Sequence, residues 1–98
     1  MVEINGKQRR KLEKMAHSLD PVVIVGQSGV TQNIINMVKE CLNTHELIKV
    51  KYNEYQDQKY EMTNQIVEGS DSVLIRVIGN IAILYRPNDD ERKRRIRV

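Results

Sequence analysis

The chain has 98 residues, with 16 Lys and Arg against 13 Asp and Glu, a net charge of +3 and one cysteine. That length accommodates one domain with one modest core and leaves no room for a second. The basic excess tilts toward an anionic partner without demanding one, and a lone Cys41 excludes an internal disulfide and argues against a cysteine-based metal site.

Asn5 is placed to cap a helix over 6–18, whose Leu12, Met15, Ala16 and Leu19 recur at i, i+3, i+4 and i+7. Pro21 closes that segment, and the apolar, β-branched run 22–25 predicts a buried strand. After the glycine turn "VGQSGVT", Thr31 is the expected N-cap of a second helix ending near Asn43, with Ile34, Ile35, Val38, Cys41 and Leu42 on one face. Within it Cys41 reads as a small buried hydrophobe. The stretch 46–52 alternates Ile48, Val50 and Tyr52 against Leu47, Lys49 and Lys51, which is strand periodicity. Residues 55–68 predict a third helix, with Gly69 as its C-terminal cap. Strands over 72–78 and 81–86 follow, joined by Gly79-Asn80, a two-residue hairpin signal. Pro87 ends the last strand. The charged run "NDDERKRRIRV" (88–98) has little to bury and is expected to be a flexible tail.

The order α-β-α-β-α-β-β implies parallel pairing with right-handed crossovers in the strand–helix–strand units and an antiparallel final hairpin. The expected fold is therefore of α/β class (α+β two-layer type), with a mixed four-stranded sheet in a single domain over 1–87. The N-terminal "MVEINGKQRRKLEKM" lacks an apolar signal-type core and no run reaches bilayer length, so the expected location is cytoplasmic, with no membrane partner.

A strand entering a helix through a glycine turn presents backbone N–H groups at a helix N-terminus, an arrangement suited to phosphate. Gly26 and Gly29 permit positive φ and close approach, while Ser28 and Thr31 supply hydroxyls. The signal is weak by itself, because glycines also simply make such a turn sterically possible. It lacks both the third glycine of a dinucleotide fingerprint and the Gly-Lys-Ser/Thr ending of a triphosphate loop. A second feature points the same way. Lys7, Arg10, Lys11 and Lys14 fall within about 100° of arc on the first helix, centred roughly 140° from its apolar stripe. A row of cations at helical rise suits a polyphosphate backbone better than one phosphate. By strand parity Lys49, Lys51, Arg76 and Arg86 could share one sheet face, and the tail adds Arg92, Lys93, Arg94, Arg95 and Arg97.

The chain has no Trp or Phe, so the aromatic platform of single-strand RNA-binding sheets is missing. Tyr52 and Tyr85 fall on the apolar parity and read as core. His17 and His45 lack metal-ligand spacing, and no general acid or base is positioned for chemistry.

Taken together, "PVVIVGQSGVTQNII", "HELIKVK" and "VIGNIAILYRP", in this order and spacing, closely resemble the YhbY-like proteins, the bacterial stand-alone versions of the CRM domain (chloroplast RNA splicing and ribosome maturation). The resemblance spans about residues 5–87. It implies a domain similar to the C-terminal domain of bacterial translation initiation factor three. It also implies RNA binding without catalysis, a link to assembly of the large ribosomal subunit, and no cofactor or small-molecule substrate. The family's Gly-x-x-Gly loop falls on Gly26, Gln27, Ser28 and Gly29, and its basic first helix on Lys7, Arg10, Lys11 and Lys14. The uncharged Gln27-Ser28 pair departs from a loop with a basic residue at its tip, so charge is expected from the helix and geometry from the loop. The candidate RNA-binding set is thus these eight residues with Thr31, Lys49, Lys51 and Arg86, and the expected partner is ribosomal RNA in pre-ribosomal particles. The rival readings are a protein-binding adaptor on the pre-ribosome and a protein for a small phosphorylated ligand at the Gly26–Gly29 loop.

Overall fold

A computed structural model describes residues 3–98. Among them, helix α1 (Gly6–Ala16) precedes strand β1 (Val23–Val25), helix α2 (Gln32–His45) and strand β2 (Leu47–Tyr52). A 3-10 turn (Gln56–Gln58) leads into helix α3 (Lys59–Ser70), and the hairpin β3 (Val73–Ile78) and β4 (Ile81–Tyr85) completes the sheet. The four strands lie in the order β1-β2-β4-β3. β1 runs parallel to β2, and β4 is antiparallel to both β2 and β3. The mixed α+β sheet expected from the sequence is therefore present. The second strand–helix–strand unit gives no direct parallel ladder, because β4 folds back into the space between β2 and β3.

At α1 and α2 a side chain replaces the missing carbonyl at the helix start, whereas α3 continues from the 3-10 turn with no side-chain cap. Asn5 and Gln8 form a reciprocal capping box on α1, with Gln8 N–H donating to Asn5 Oδ1 at 2.8 Å and Asn5 N–H to Gln8 Oε1 at 3.0 Å. Thr31 Oγ1 accepts from Ile34 N–H at 3.2 Å at the start of α2. α1 ends at Ala16, short of the expected residue 18, because the chain then turns so that Val22 N–H can reach Lys49 O at 3.1 Å.

The sheet is covered on both faces, so helices and sheet stack in three layers and not the two expected. α2 and α3 pack on one face, burying Val23, Val25, Val38, Leu42, Ile48, Val50, Tyr52, Ile66, Ala82 and Leu84 together. α1 packs on the other, over Leu47, Ile75, Ile83 and Tyr85, with Leu12 and Ala16 fully buried beneath it. Tyr52 and Tyr85 are both core residues, on opposite faces. The Tyr52 hydroxyl meets Thr63 Oγ1 at 2.6 Å in the larger core, and burial pushes the phenol above its ordinary range while this bond offsets part of the shift. Tyr52→Phe leaves a buried Thr63 hydroxyl without that partner and is expected to lower stability by about 1–3 kcal/mol. The check is a lower urea midpoint with an unchanged m-value.

Gly69 differs from its expected role. It lies inside α3, and the left-handed cap is Asp71 at φ 54°. A Cβ on Gly69 would stand 2.9 Å from Ile35 Cδ1 and 3.0 Å from its Cγ2, so the missing side chain is what lets α2 and α3 approach. Strand β3 also carries an irregularity. Leu74 pairs with Leu84 and Arg76 with Ile83, leaving Ile75 as the extra residue of a bulge. The bulge resets the alternation, so Ile75 and Arg76 both lie on the α1 side and Val77 turns to the α2/α3 side. Residues 88–98, expected to have little to bury, place Ile96 against the α1-side core.

Candidate nucleic-acid interface

Lys7, Arg10, Lys11 and Lys14 are all exposed on the outer face of α1. The wheel spacing that gathers them is the one that turns Leu12 and Ala16 into the core. No acidic residue occupies the first turn of α1 or of α2, so neither positive helix end is neutralised from within. Arg9, which lies at the apolar edge of the wheel, behaves differently from its neighbours. Its guanidinium donates to Leu74 O at 2.7 Å and Ile75 O at 2.6 Å, fastening α1 to the bulge in β3. Sequence reasoning passed over Arg9, although its wheel position beside the apolar stripe was a signal.

The expectation that Lys49, Lys51, Arg76 and Arg86 share a face is met by the first three. Lys49 pairs across the ladder with Ile83, Lys51 with Ile81 and Arg76 with Ile83 from the far side, all facing α1. Lys49 Nζ donates to Leu19 O at 2.9 Å, and Arg76 is ion-paired to Glu13 of α1. Lys51 is exposed and lies opposite Ile24, two residues before Gly26. Arg86 continues the alternation of Ala82 and Leu84 instead, so it emerges on the α2/α3 face. There its guanidinium donates to Ser70 O at 2.7 Å, Lys39 O at 3.3 Å and Asn43 Oδ1, tying together the helix ends. The shared-parity reading failed because the α1-side residues of β4 are Ile83 and Tyr85, not Leu84 and Arg86. Arg86→Ala is expected to lower the melting temperature while the folded protein keeps its affinity for polyanions, measured on samples matched for folded fraction.

The glycine loop closes the end of the sheet where β1 and β2 finish. Gly29 N–H donates to Gly26 O at 3.0 Å, making a tight turn. Only Gly29 uses the left-handed region, at φ 68°, and it is buried under Met62 and Tyr55, where a Cβ would lie 3.4 and 3.7 Å from their carbons. Gly26 needs no positive φ, and a Cβ there would meet nothing within 4 Å. Gln27 and Ser28 are exposed, and the Tyr55 hydroxyl donates to Gln27 O, holding the loop from the α3 side. Beyond it, N–H groups of Gln32 and Asn33 open α2, where no intrahelical carbonyl reaches them. The loop and the α1 row thus sit at different places on the domain, with Lys49 and Lys51 on the sheet between them.

Cys41 is half-buried, and burial, with the nearby Glu40 charge, raises its thiol pKa. It therefore stays protonated at neutral pH and unsuited to nucleophilic work. No helix among the described residues is long and apolar enough to cross a membrane.

Residues 4–86 match the CRS1/YhbY (CRM) domain. The chain belongs to the CRM domain family. A Haemophilus influenzae protein named RNA-binding protein is 36% identical over 91 residues, covering 92% of each chain. A Bacillus subtilis protein named probable RNA-binding protein YqeI is 36% identical over 91 residues, covering 92% of this chain and 95% of its own. The solution structure of the hypothetical protein SAV1595 from Staphylococcus aureus superposes with a TM-score of 0.78 at 31% identity, over 97% of this chain and all of that one. In this CRM domain, then, the cations sort into two groups. Lys7, Arg10, Lys14 and Lys51 are exposed with no protein partner among the described residues, whereas Arg9, Arg76 and Arg86 are spent on the fold.

Proposed function

We propose that this chain is a non-catalytic RNA-binding protein of the cytoplasm that holds ribosomal RNA and assists assembly of the large ribosomal subunit. The observation that carries the reading is the exposed row Lys7, Arg10, Lys11 and Lys14 on α1, beside which the one acid of that helix, Glu13, is already ion-paired to Arg76. The names of the relatives support RNA as the partner, and the resemblance to bacterial CRM proteins supports the ribosomal role. Along the row, each cation neutralises a phosphate and releases counterions. At the loop, Gly26 leaves room for a phosphodiester to approach, and the N-terminus of α2 offers N–H groups and the positive end of its dipole. Lys51 supplies charge between the two. With aromatic stacking residues scarce, recognition rests on backbone and shape, which favours structured RNA over a splayed strand.

If about four phosphates are neutralised, the log–log dependence of affinity on salt has a slope of roughly −3 to −4. The test combines that titration with in-cell crosslinking that maps both the RNA position and the contacting residue. Crosslinks from α1 and the loop to large-subunit RNA, with co-sedimentation on its precursor particles, are the expected result. Binding that stays flat from low to moderate salt would sink the electrostatic reading. Retention on precursor particles after loss of the α1 charges would make the chain a protein-binding adaptor.

A further inference from the structure

The C-terminal segment is rich in cations, yet it is held by a buried anion. Glu46, between α2 and β2, is 1% exposed. Its Oε2 accepts from Asn88 N–H at 2.7 Å, and its Oε1 accepts from Arg95 N–H at 2.5 Å and Ile96 N–H at 3.0 Å. A buried carboxylate is costly unless it is bonded in this way. Glu46 also holds a positive φ of 65°, unusual for a side chain of its size. Its own carbonyl takes Arg86 N–H at 2.8 Å, so one residue joins the end of α2, the end of β4 and residues 88–96. A solubilising tail requires none of this.

The segment is seated at two further points. Ile96 packs against the α1-side cluster that holds Leu12, Ala16, Leu47, Ile75, Ile83 and Tyr85, and Lys11 Nζ donates to Arg97 O at 2.7 Å. Arg94 has an extended backbone, Ile96 is partly buried against the α1-side core, and Arg95 and Arg97 on either side of it are exposed. Arg92 is ion-paired to Asp90 and Arg94 to Glu91. Among the described residues, no carboxylate lies within ion-pair distance of Arg95 or Arg97. Arg92, Arg94 and Arg97 border an open hollow of about 290 Å³ with Glu91. The cost of ordering these long side chains' backbone is met before any ligand arrives, which raises the affinity of whatever they hold.

We propose that the docked C-terminal segment is a second phosphate-binding strip for the same RNA, carried by Arg95 and Arg97 beside Lys11, with Glu46 as its positioning residue. This rests on the RNA-binding reading above and extends it from one helix face to two adjoining rows. The strip reads phosphodiester charge, not bases, because its free groups are exposed guanidinium forks suited to phosphate oxygens.

The test uses the full chain and a fluorescently labelled RNA hairpin of mixed sequence, titrated across salt. Arg95→Ala with Arg97→Ala is expected to flatten the slope by about 1–2 and weaken binding at low salt, with the fold untouched. Glu46→Ala keeps every tail cation. It is expected to expose the Arg95 and Ile96 amides to rapid exchange and to flatten the slope in the same direction. A purely stabilising Glu46 would leave the slope of the folded protein unchanged, and that result overturns its positioning role. If the double arginine variant keeps the wild-type slope while loss of Lys7, Arg10 and Lys14 flattens it, the strip is disproved and the RNA reading stands. If the wild-type protein shows no salt-dependent binding to the hairpin, both fall together.

Discussion

Replacing Lys7, Arg10 and Lys14 together by Glu is expected to abolish RNA binding and leave the domain folded. All three side chains are exposed, and none donates a hydrogen bond within the described residues, so the structural cost is of the order of ±0.5 kcal/mol per site. Glu at position 7 even favours the helix, because it places an anion at the N-terminal end of the dipole. Three lost phosphate contacts flatten the salt slope by roughly 3, and the reversed charges then repel what the wild type attracts. Fluorescence anisotropy with labelled RNA reads the loss, and circular dichroism with thermal melting reads the fold. Lys11 is best reversed in a separate variant. It alone of the row donates to the tail, at Arg97 O, so its loss removes a charge and a tether at once. Binding that survives the triple reversal would move the interface off α1 altogether.

The second large effect is expected at Gly29. Valine there must hold a β-branched side chain at φ 68°, a conformation costing about 1–3 kcal/mol, and its methyls must fit where a Cβ already touches Met62 and Tyr55 at contact distance. Tyr55 also holds the loop through Gln27 O, so the turn shifts as a unit. Gly29→Val should therefore lower both stability and RNA affinity. Gln27→Ala removes an exposed side chain but keeps the carbonyl that Tyr55 grips, and should change little. Gly26→Ala separates shape from approach. Its Cβ meets nothing within the protein, so any loss of affinity at unchanged stability reports a ligand that comes close to that backbone. Equal, small effects from all three variants would show that the loop is only a turn.

Much of the fold was legible because the two periodicities are clean. The i, i+3, i+4 pattern around Leu12 and Ala16 and the alternation of Ile48, Val50 and Tyr52 each point one way. The misreadings have specific causes. Gly69 is the residue type that favours a helix end, and only the nearness of Ile35 reveals that it serves close helix packing. The bulge at Ile75 adds one residue to a strand whose sequence still alternates, so nothing in the sequence marks the change of face. Arg86 was grouped with Lys49 and Lys51 by parity, but parity within a strand does not say which face meets which helix. The cationic row on α1 was readable since a helix wheel needs no tertiary information. Glu46 was not, because its partners lie more than forty residues away, and Ile96 was hidden inside a run of charge.

The separate seating of α1 has a further consequence. Lys7 and Lys11, Arg10 and Lys14, Lys7 and Arg10, and Lys11 and Lys14 are neighbours on the helix surface, and each like-charged pair works against helicity by a few tenths of a kcal/mol. The helix is held down against this self-repulsion by a small apolar cluster of its own and by the Arg9 clamp on the bulge. That cluster is separate from the core shared by α2 and α3, so α1 is seated independently of those two helices. A polyanion bound along the row would relieve that repulsion, so occupancy and docking of α1 would reinforce one another. On the proposed function, RNA would supply the countercharge that the free domain lacks along α1.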